Sequence, residues 1–128
     1  ESNAAADKRV IALPALERAA KIQKRAARTG FDWPTIDGPR DKIREELDEI
    51  AAAPADKIEE EVGDLLFAVV NFARFLKIEP EEALRKANKK FERRFREIER
   101  TPGFGGLALD EQEALWCAAK AAEDYSAS

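Results

Sequence analysis

Proline and glycine divide this chain into segments of helical length, and little between them reads as strand. Pro14, Gly30, Pro39, Pro54, Pro80 and the run TPGFGG at 101–106 bound segments rich in Ala, Leu, Glu, Lys and Arg, residues that cost little in a helix. The spacing predicts helices from about Leu13 to Arg28, from Pro39 to Pro54, from Asp56 to about Lys77 and from Pro80 to near Arg100. A short last helix follows, capped by Asp110 and carrying Leu115 and Trp116. Asp56 and Glu59 have the spacing of a helix-capping pair. GFDWPTIDGP, 30–39, reads as a loop that Phe31 and Trp33 anchor to the core. The expected fold is all-α: a bundle of four main helices plus a short C-terminal helix. Residues 13–124 form the domain, 1–12 a disordered lead or linker and 125–128 a disordered, fraying tail.

Composition removes several chemistries. The chain has no histidine, so Ser-His-Asp triads, Cys-His pairs and histidine-bearing zinc or di-iron sites are excluded. A single cysteine, Cys117, cannot close an internal disulfide, and no apolar run is long enough to cross a bilayer, so a cytoplasmic location is expected. A net charge of −4 argues against general nucleic-acid binding. The glycine-rich run is not a P-loop, because no Gly-Lys-Ser/Thr follows it. The chain starts at Glu1 without methionine, as expected of a piece of something longer.

What remains is carboxylate chemistry. REELDEI at 44–50 is echoed by EEVGDLL at 60–66, with Glu45, Glu46 and Glu49 matching Glu60, Glu61 and Asp64. At 100° per residue, Glu46 and Glu49 flank the stripe Ile43, Leu47, Ile50, and Glu61 and Asp64 flank Ile58, Val62, Leu65, Val69 in the same sense. Packing the two helices across the Pro54 turn brings all four acids to one edge, with Glu45, Asp48, Glu59 and Glu60 further out. Four anions about 5 Å apart repel by roughly 3 kcal/mol per pair at an effective dielectric near 20. A hard divalent cation offsets that, and oxygen-only ligands favour Mg²⁺, with Mn²⁺ as substitute. Acids spaced this way also decorate solvated helix faces, so each pair alone carries little weight.

The segment Arg85 to Arg100 holds eight basic and three acidic residues. Its expected buried stripe is Leu84, Ala87, Phe91, Phe95 and Ile98, with Lys90 and Arg94 at the border, candidates to grip phosphate oxygens. Lys42 and Lys57 stand near the acidic helix starts, placed either for phosphates or for surface ion pairs. Asn71 and Gln23 can read a sugar or base edge, or satisfy buried backbone. Trp33 and Trp116 can stack on a base or anchor the core.

With these residues in place the chain resembles the MazG-type, all-α nucleoside triphosphate pyrophosphohydrolases. The likeness runs through LPALERAAKIQKRAARTGFDWP, DKIREELDEI, KIEEEVGDLLFAVVNFARFL and EEALRKANKKFERRFREIE, most of residues 13–99, and is nearest to the C-terminal half of tandem-domain members. The family's paired E-E-x-x-E and E-x-x-D motif stands as Glu45, Glu46, Glu49 and Glu61, Asp64. The eleven residues between Glu49 and Glu61 are slightly fewer than the family's usual connection.

The resemblance implies hydrolysis of nucleoside triphosphates between the α and β phosphates with Mg²⁺, giving monophosphate and pyrophosphate, in nucleotide housecleaning or pool control. It places Glu46, Glu49, Glu61 and Asp64 as metal ligands, and Lys42, Lys57, Lys90, Arg94 and Trp116 as nucleotide contacts. Asn71 joins the substrate contacts from its position on the Glu61 side of its helix. Glu49, with Glu46 beside it, is the candidate to orient or deprotonate water, while Lys90 and Arg94 stabilise the leaving pyrophosphate. The family also implies a homodimer that completes the bundle, and Phe67, Val70 and Phe75 widen the third helix's apolar surface accordingly. The alternatives are a non-catalytic helical dimerisation or regulatory module and an RNA-binding basic helix.

Overall fold

The computed structural model describes residues 12–127, and side chains through residue 125. All regular structure among the described residues is helical: α1 (Ala15–Arg28), α2 (Asp37–Ala52), α3 (Ile58–Phe75), α4 (Pro80–Ile98) and α5 (Leu109–Ala127). The chain divides into two compact units, one ending at Ala83 and one beginning at Leu84, and α4 starts in the first and continues in the second. Of the lead expected at residues 1–12, residues 1–11 lie outside the described residues, as does the last residue, Ser128.

In the first unit each boundary has a local cause. Gly30 adopts φ +93°, which L side chains rarely reach, and the chain turns there while the N–H groups of Thr29, Gly30 and Phe31 satisfy carbonyls at Ala26 and Ala27. α2 begins at Asp37, two residues ahead of Pro39. Proline in a first turn forfeits only an N–H that has no helical partner there, and Pro39 is buried. Pro54 ends the hairpin's first arm, and a 3₁₀ turn, Ala55–Lys57, leads into α3. The expected Asp56 capping contact is not made: neither Pro54 nor Lys57, the residues at these two helix starts, makes a side-chain cap. The turn closes instead through the Lys57 N–H to the Pro54 carbonyl at 2.9 Å.

The packing differs from the expected stripes. Within the first unit the buried apolar residues are small, Ala20, Ala68 and Val70, together with Pro39 and Pro80, whereas Leu47 is 53% exposed and Ile58, Val62, Leu66 and Val69 are exposed as well. Glu46, expected on the flank, is instead buried at 2%. Val70, expected to widen the outer apolar surface, is 1% exposed and belongs to the core, while Phe67 keeps nearly half its surface open. Phe31 does not anchor its loop, being 83% exposed. A period of 3.6 identifies an apolar face without specifying what covers it.

The second unit is an aromatic-centred pair of helices. Phe91 stacks on Phe95 with ring centroids 5.8 Å apart and lies 5.1 Å from Trp116, and Phe95 meets Phe104 edge-on at 5.7 Å. Leu84 and Phe91, expected in the buried stripe, are about half exposed, and Arg94 is buried in their stead beside Ile98. The last helix is not short: it runs 19 residues to Ala127 because no Pro or Gly interrupts its alanine-rich sequence. Glu111 Oε1 accepts the Ala108 N–H at 3.1 Å, and the Gln112 amide donates to the Phe104 carbonyl at 2.9 Å, fixing its start.

The carboxylate cluster and its neighbouring cavity

The α2–α3 hairpin brings the repeated acids together. Carboxylate oxygens of Glu46, Glu61 and Asp64 lie within 4.8 Å of one another, and so do those of Glu45, Glu46 and Glu49. Glu46 belongs to both groups and is their hub. Glu45, expected to point outward, is exposed yet reaches this cluster and accepts from Lys42 at 3.2 Å.

Three features shape the charge here. Lys42 Nζ stands 3.3 Å from Glu46 Oε1, while Glu46 Oε2 is buried and has no hydrogen-bond donor. Burial pushes the Glu46 carboxyl up, but protons shared with Glu49 and Glu61 and the ammonium of Lys42 outweigh it and hold Glu46 below the usual range. Glu49 moves up through its hydrogen bond to Glu46, then through desolvation and neighbouring negative charge. Desolvation first, then Glu46 and Asp64, raise Glu61. The opposite directions of Glu46 and its two neighbours are those of carboxylates that repel one another at close range.

The donor set fits a hard divalent cation. It is all oxygen, one buried oxygen lacks a partner, and the separations approach the roughly 4.2 Å that two opposed ligands span around an ion at about 2.1 Å.

Beside the acids lies a cavity of about 710 Å³, lined by Lys42, Glu46 and Asp64 together with Gln23, Trp33, Phe67 and Asn71. Asn71 Oδ1 accepts from Arg74 Nε at 2.9 Å and Nη2 at 2.7 Å. Arg74 Nη2 also holds Asp32 Oδ1 at 2.5 Å, and that hydrogen bond, opposed by burial and aided by the Trp33 N–H and the guanidinium charge, keeps the Asp32 carboxyl low. Sequence reasoning missed Asp32 and Arg74, which are 42 residues apart and leave no periodic trace. Their signal was an acid and an arginine next to aromatic residues, which is common.

The remaining candidates separate by element. Lys57 is exposed, 4.0 Å from Glu60. In the second unit Lys90 is exposed on α4. Arg94 Nε donates to Glu123 Oε1 at 2.7 Å, and its guanidinium carbon lies 5.8 Å from the Trp116 ring centroid, so Arg94 and Trp116 do come together.

The bonds from Arg93 and then Arg94 pull the Glu123 carboxyl down to about 2. A depressed folded-state value contributes stability that is complete above the ordinary glutamate range and is lost as pH falls towards 2. Glu123→Gln therefore destabilises the α4–α5 unit at pH 7, and the gap to wild type closes between pH 4.5 and pH 2. Urea unfolding of both proteins across that interval checks it, and a gap independent of pH contradicts it.

Residues 39–98 match the family described as the MazG nucleotide pyrophosphohydrolase domain. The chain is 52% identical over 115 residues to the nucleoside triphosphate pyrophosphohydrolase of Escherichia coli K12, covering 81% of this chain and 44% of that protein. It is 48% identical over 100 residues to the nucleoside triphosphate pyrophosphohydrolase/pyrophosphatase MazG of Thermotoga maritima, covering 77% of this chain and 39% of that protein. The chain thus spans less than half the length of either relative. No helix among the described residues is long and apolar enough to cross a membrane.

Proposed function

Since the chain carries a domain of the MazG nucleotide pyrophosphohydrolase family across residues 39–98, we propose that it hydrolyses nucleoside triphosphates to the monophosphate and pyrophosphate. The observation that carries this reading is the buried Glu46 Oε2, without a donor, grouped with Glu61 and Asp64, two of these acids, Glu46 and Asp64, also lining the cavity. Glu46, Glu49, Glu61 and Asp64 hold Mg²⁺, or Mn²⁺ in its place. When bound, the ion supplies charge neutralisation at the phosphates and a more acidic water.

The protein's own groups do the rest. Lys42, paired with Glu46 at 3.3 Å, offers its remaining donors to a phosphate oxygen in the cavity it lines. Glu49, whose proton affinity is raised, orients or accepts a proton from the attacking water. Lys57, Lys90 and Arg94 are the other cations proposed for phosphate oxygens, and for Arg94 this exchanges the Glu123 carboxylate for phosphate. Trp116 lies against the same guanidinium and is assigned to the nucleotide with it.

Pyrophosphate release from a panel of nucleoside triphosphates, with Mg²⁺ and with EDTA, tests the reading. It requires metal-dependent release from at least one triphosphate. No release from any of them, with the protein folded, favours a non-catalytic helical module.

We assign the protein to the cytoplasm, where the exposed thiol of Cys117 stays reduced, and to a homodimer. Support for the dimer is the open apolar surface of the hairpin, Leu47, Val62, Leu66 and Val69. Leu66→Glu is expected to convert the dimer into a monomer in light scattering at micromolar concentration. A wild-type monomer under the same conditions contradicts the assignment.

A further inference from the structure

The cavity wall away from the carboxylates has a polarity of its own. Gln23 is 6% exposed, and its Nε2 donates to the Phe67 carbonyl at 2.9 Å. A backbone carbonyl can only accept, so this bond fixes which way the amide faces. Gln23 Oε1 is then left as a buried acceptor with no donor, in a residue that lines the cavity. Buried acceptors in native proteins are nearly always satisfied, so an open one beside a cavity marks a place for a ligand's N–H.

The surroundings narrow the ligand. Trp33 and Phe67, 44% and 47% exposed, offer aromatic surface to the same cavity. Arg74 is neutralised by Asp32, so that wall does not attract a phosphate. Asn71 gives its oxygen to Arg74 and keeps its amide N–H groups for the cavity, the opposite polarity to Gln23. A flat, uncharged, aromatic group bearing both donors and acceptors is what such walls suit, and the volume lies within the roughly 300–1,000 Å³ of small-molecule sites.

We propose that Gln23 is a specificity-determining residue: its Oε1 accepts an N–H from the Watson–Crick edge of a nucleobase seated between Trp33 and Phe67. The proposal rests on the nucleotide reading of the adjoining carboxylates. It adds that the base is selected by a hydrogen bond and not by shape alone. A site built around a hydrogen bond rejects analogues that lack the donor far more strongly than an apolar pocket rejects a change of size.

The test is equilibrium binding of non-hydrolysable α,β-methylene triphosphates to the full chain with Mg²⁺. Each base is paired with an analogue missing one edge donor: adenine with purine, cytosine with 2-pyrimidinone, uracil with N3-methyluracil, guanine with N1-methylguanine. The expected result is that the tightest-binding base outcompetes its partner by about tenfold or more, and that Gln23→Met reduces this ratio to about threefold or less. Should Gln23→Met not fold, the wild-type ratios decide alone. Indifference to the donor in all four pairs overturns the proposal, as does a ratio that survives Gln23→Met. Failure to cleave any triphosphate with base selectivity intact overturns only the catalytic reading, and failure to bind any nucleotide overturns both.

Discussion

Asp64→Asn and Glu61→Gln each lower the rate of pyrophosphate release by roughly 10²–10³-fold, the scale for losing one preorganised electrostatic contact. Helix content stays unchanged, because neither side chain caps a helix or fills the core. The sign of the stability change is the more telling part. In the metal-free protein these acids repel one another, and Glu61 is held above its ordinary range by burial and by Glu46 and Asp64. Removing a charge relieves that, so both variants unfold at the same temperature as wild type or higher when EDTA is present. Groups kept for chemistry commonly cost stability in this way. Parallel measurements of pyrophosphate release and thermal unfolding check it, and a variant that is inactive because it melts early contradicts it.

Gly38→Ala acts on the cavity without touching the acids. A Cβ at Gly38, in the first turn of α2, falls inside contact distance of Trp33 Cδ2 and Cε3, so something must move. Overpacking of this kind costs about 1–3 kcal/mol. Trp33 sits on a loop and is 44% exposed, so the ring yields before the helix does and the cost falls at the low end of that range. The larger consequence is for nucleotide affinity, since Trp33 is one wall of the cavity: the dissociation constant of a triphosphate analogue rises by about tenfold, the equivalent of about 1.4 kcal/mol. In a Trp116→Phe background the Trp33 emission also shifts to longer wavelength. Unchanged emission and affinity together contradict the assignment of Trp33 to that wall.

How much of this was legible in the sequence depends on the range of the interaction. Helix positions followed from Pro14, Gly30, Pro54 and Pro80, whose effects are local. The meeting of Glu46, Glu61 and Asp64 followed from equal angular offsets on two helices joined by a short turn, and the turn after Pro54 is long enough despite its eleven-residue connection. The side of α2 that is buried did not follow. Periodicity nominated Leu47, yet Glu46 is the residue enclosed, at 2% exposure, while Leu47 is 53% exposed. Asp56 has capping spacing but a 3₁₀ turn begins α3 without it. The Asp32–Arg74 pair depends on how a loop folds over a helix, which neither spacing nor propensity encodes.

Gln23 occupies an intermediate position. Its place amid the small residues of α1 was visible, whereas its donation to Phe67 and its free acceptor depend on α1 packing against α3. Polar residues inside an alanine-rich face can serve the backbone or a ligand, and here one amide does one with its nitrogen and leaves its oxygen for the other.

The most direct measurement is electron paramagnetic resonance of Mn²⁺ titrated into the protein without nucleotide, for wild type and for Glu46→Gln. The free-ion signal should be depleted by wild type and restored by the variant, since Glu46 links both acidic groups. Equal depletion by the two proteins, or none by wild type, contradicts a shared cation among these carboxylates.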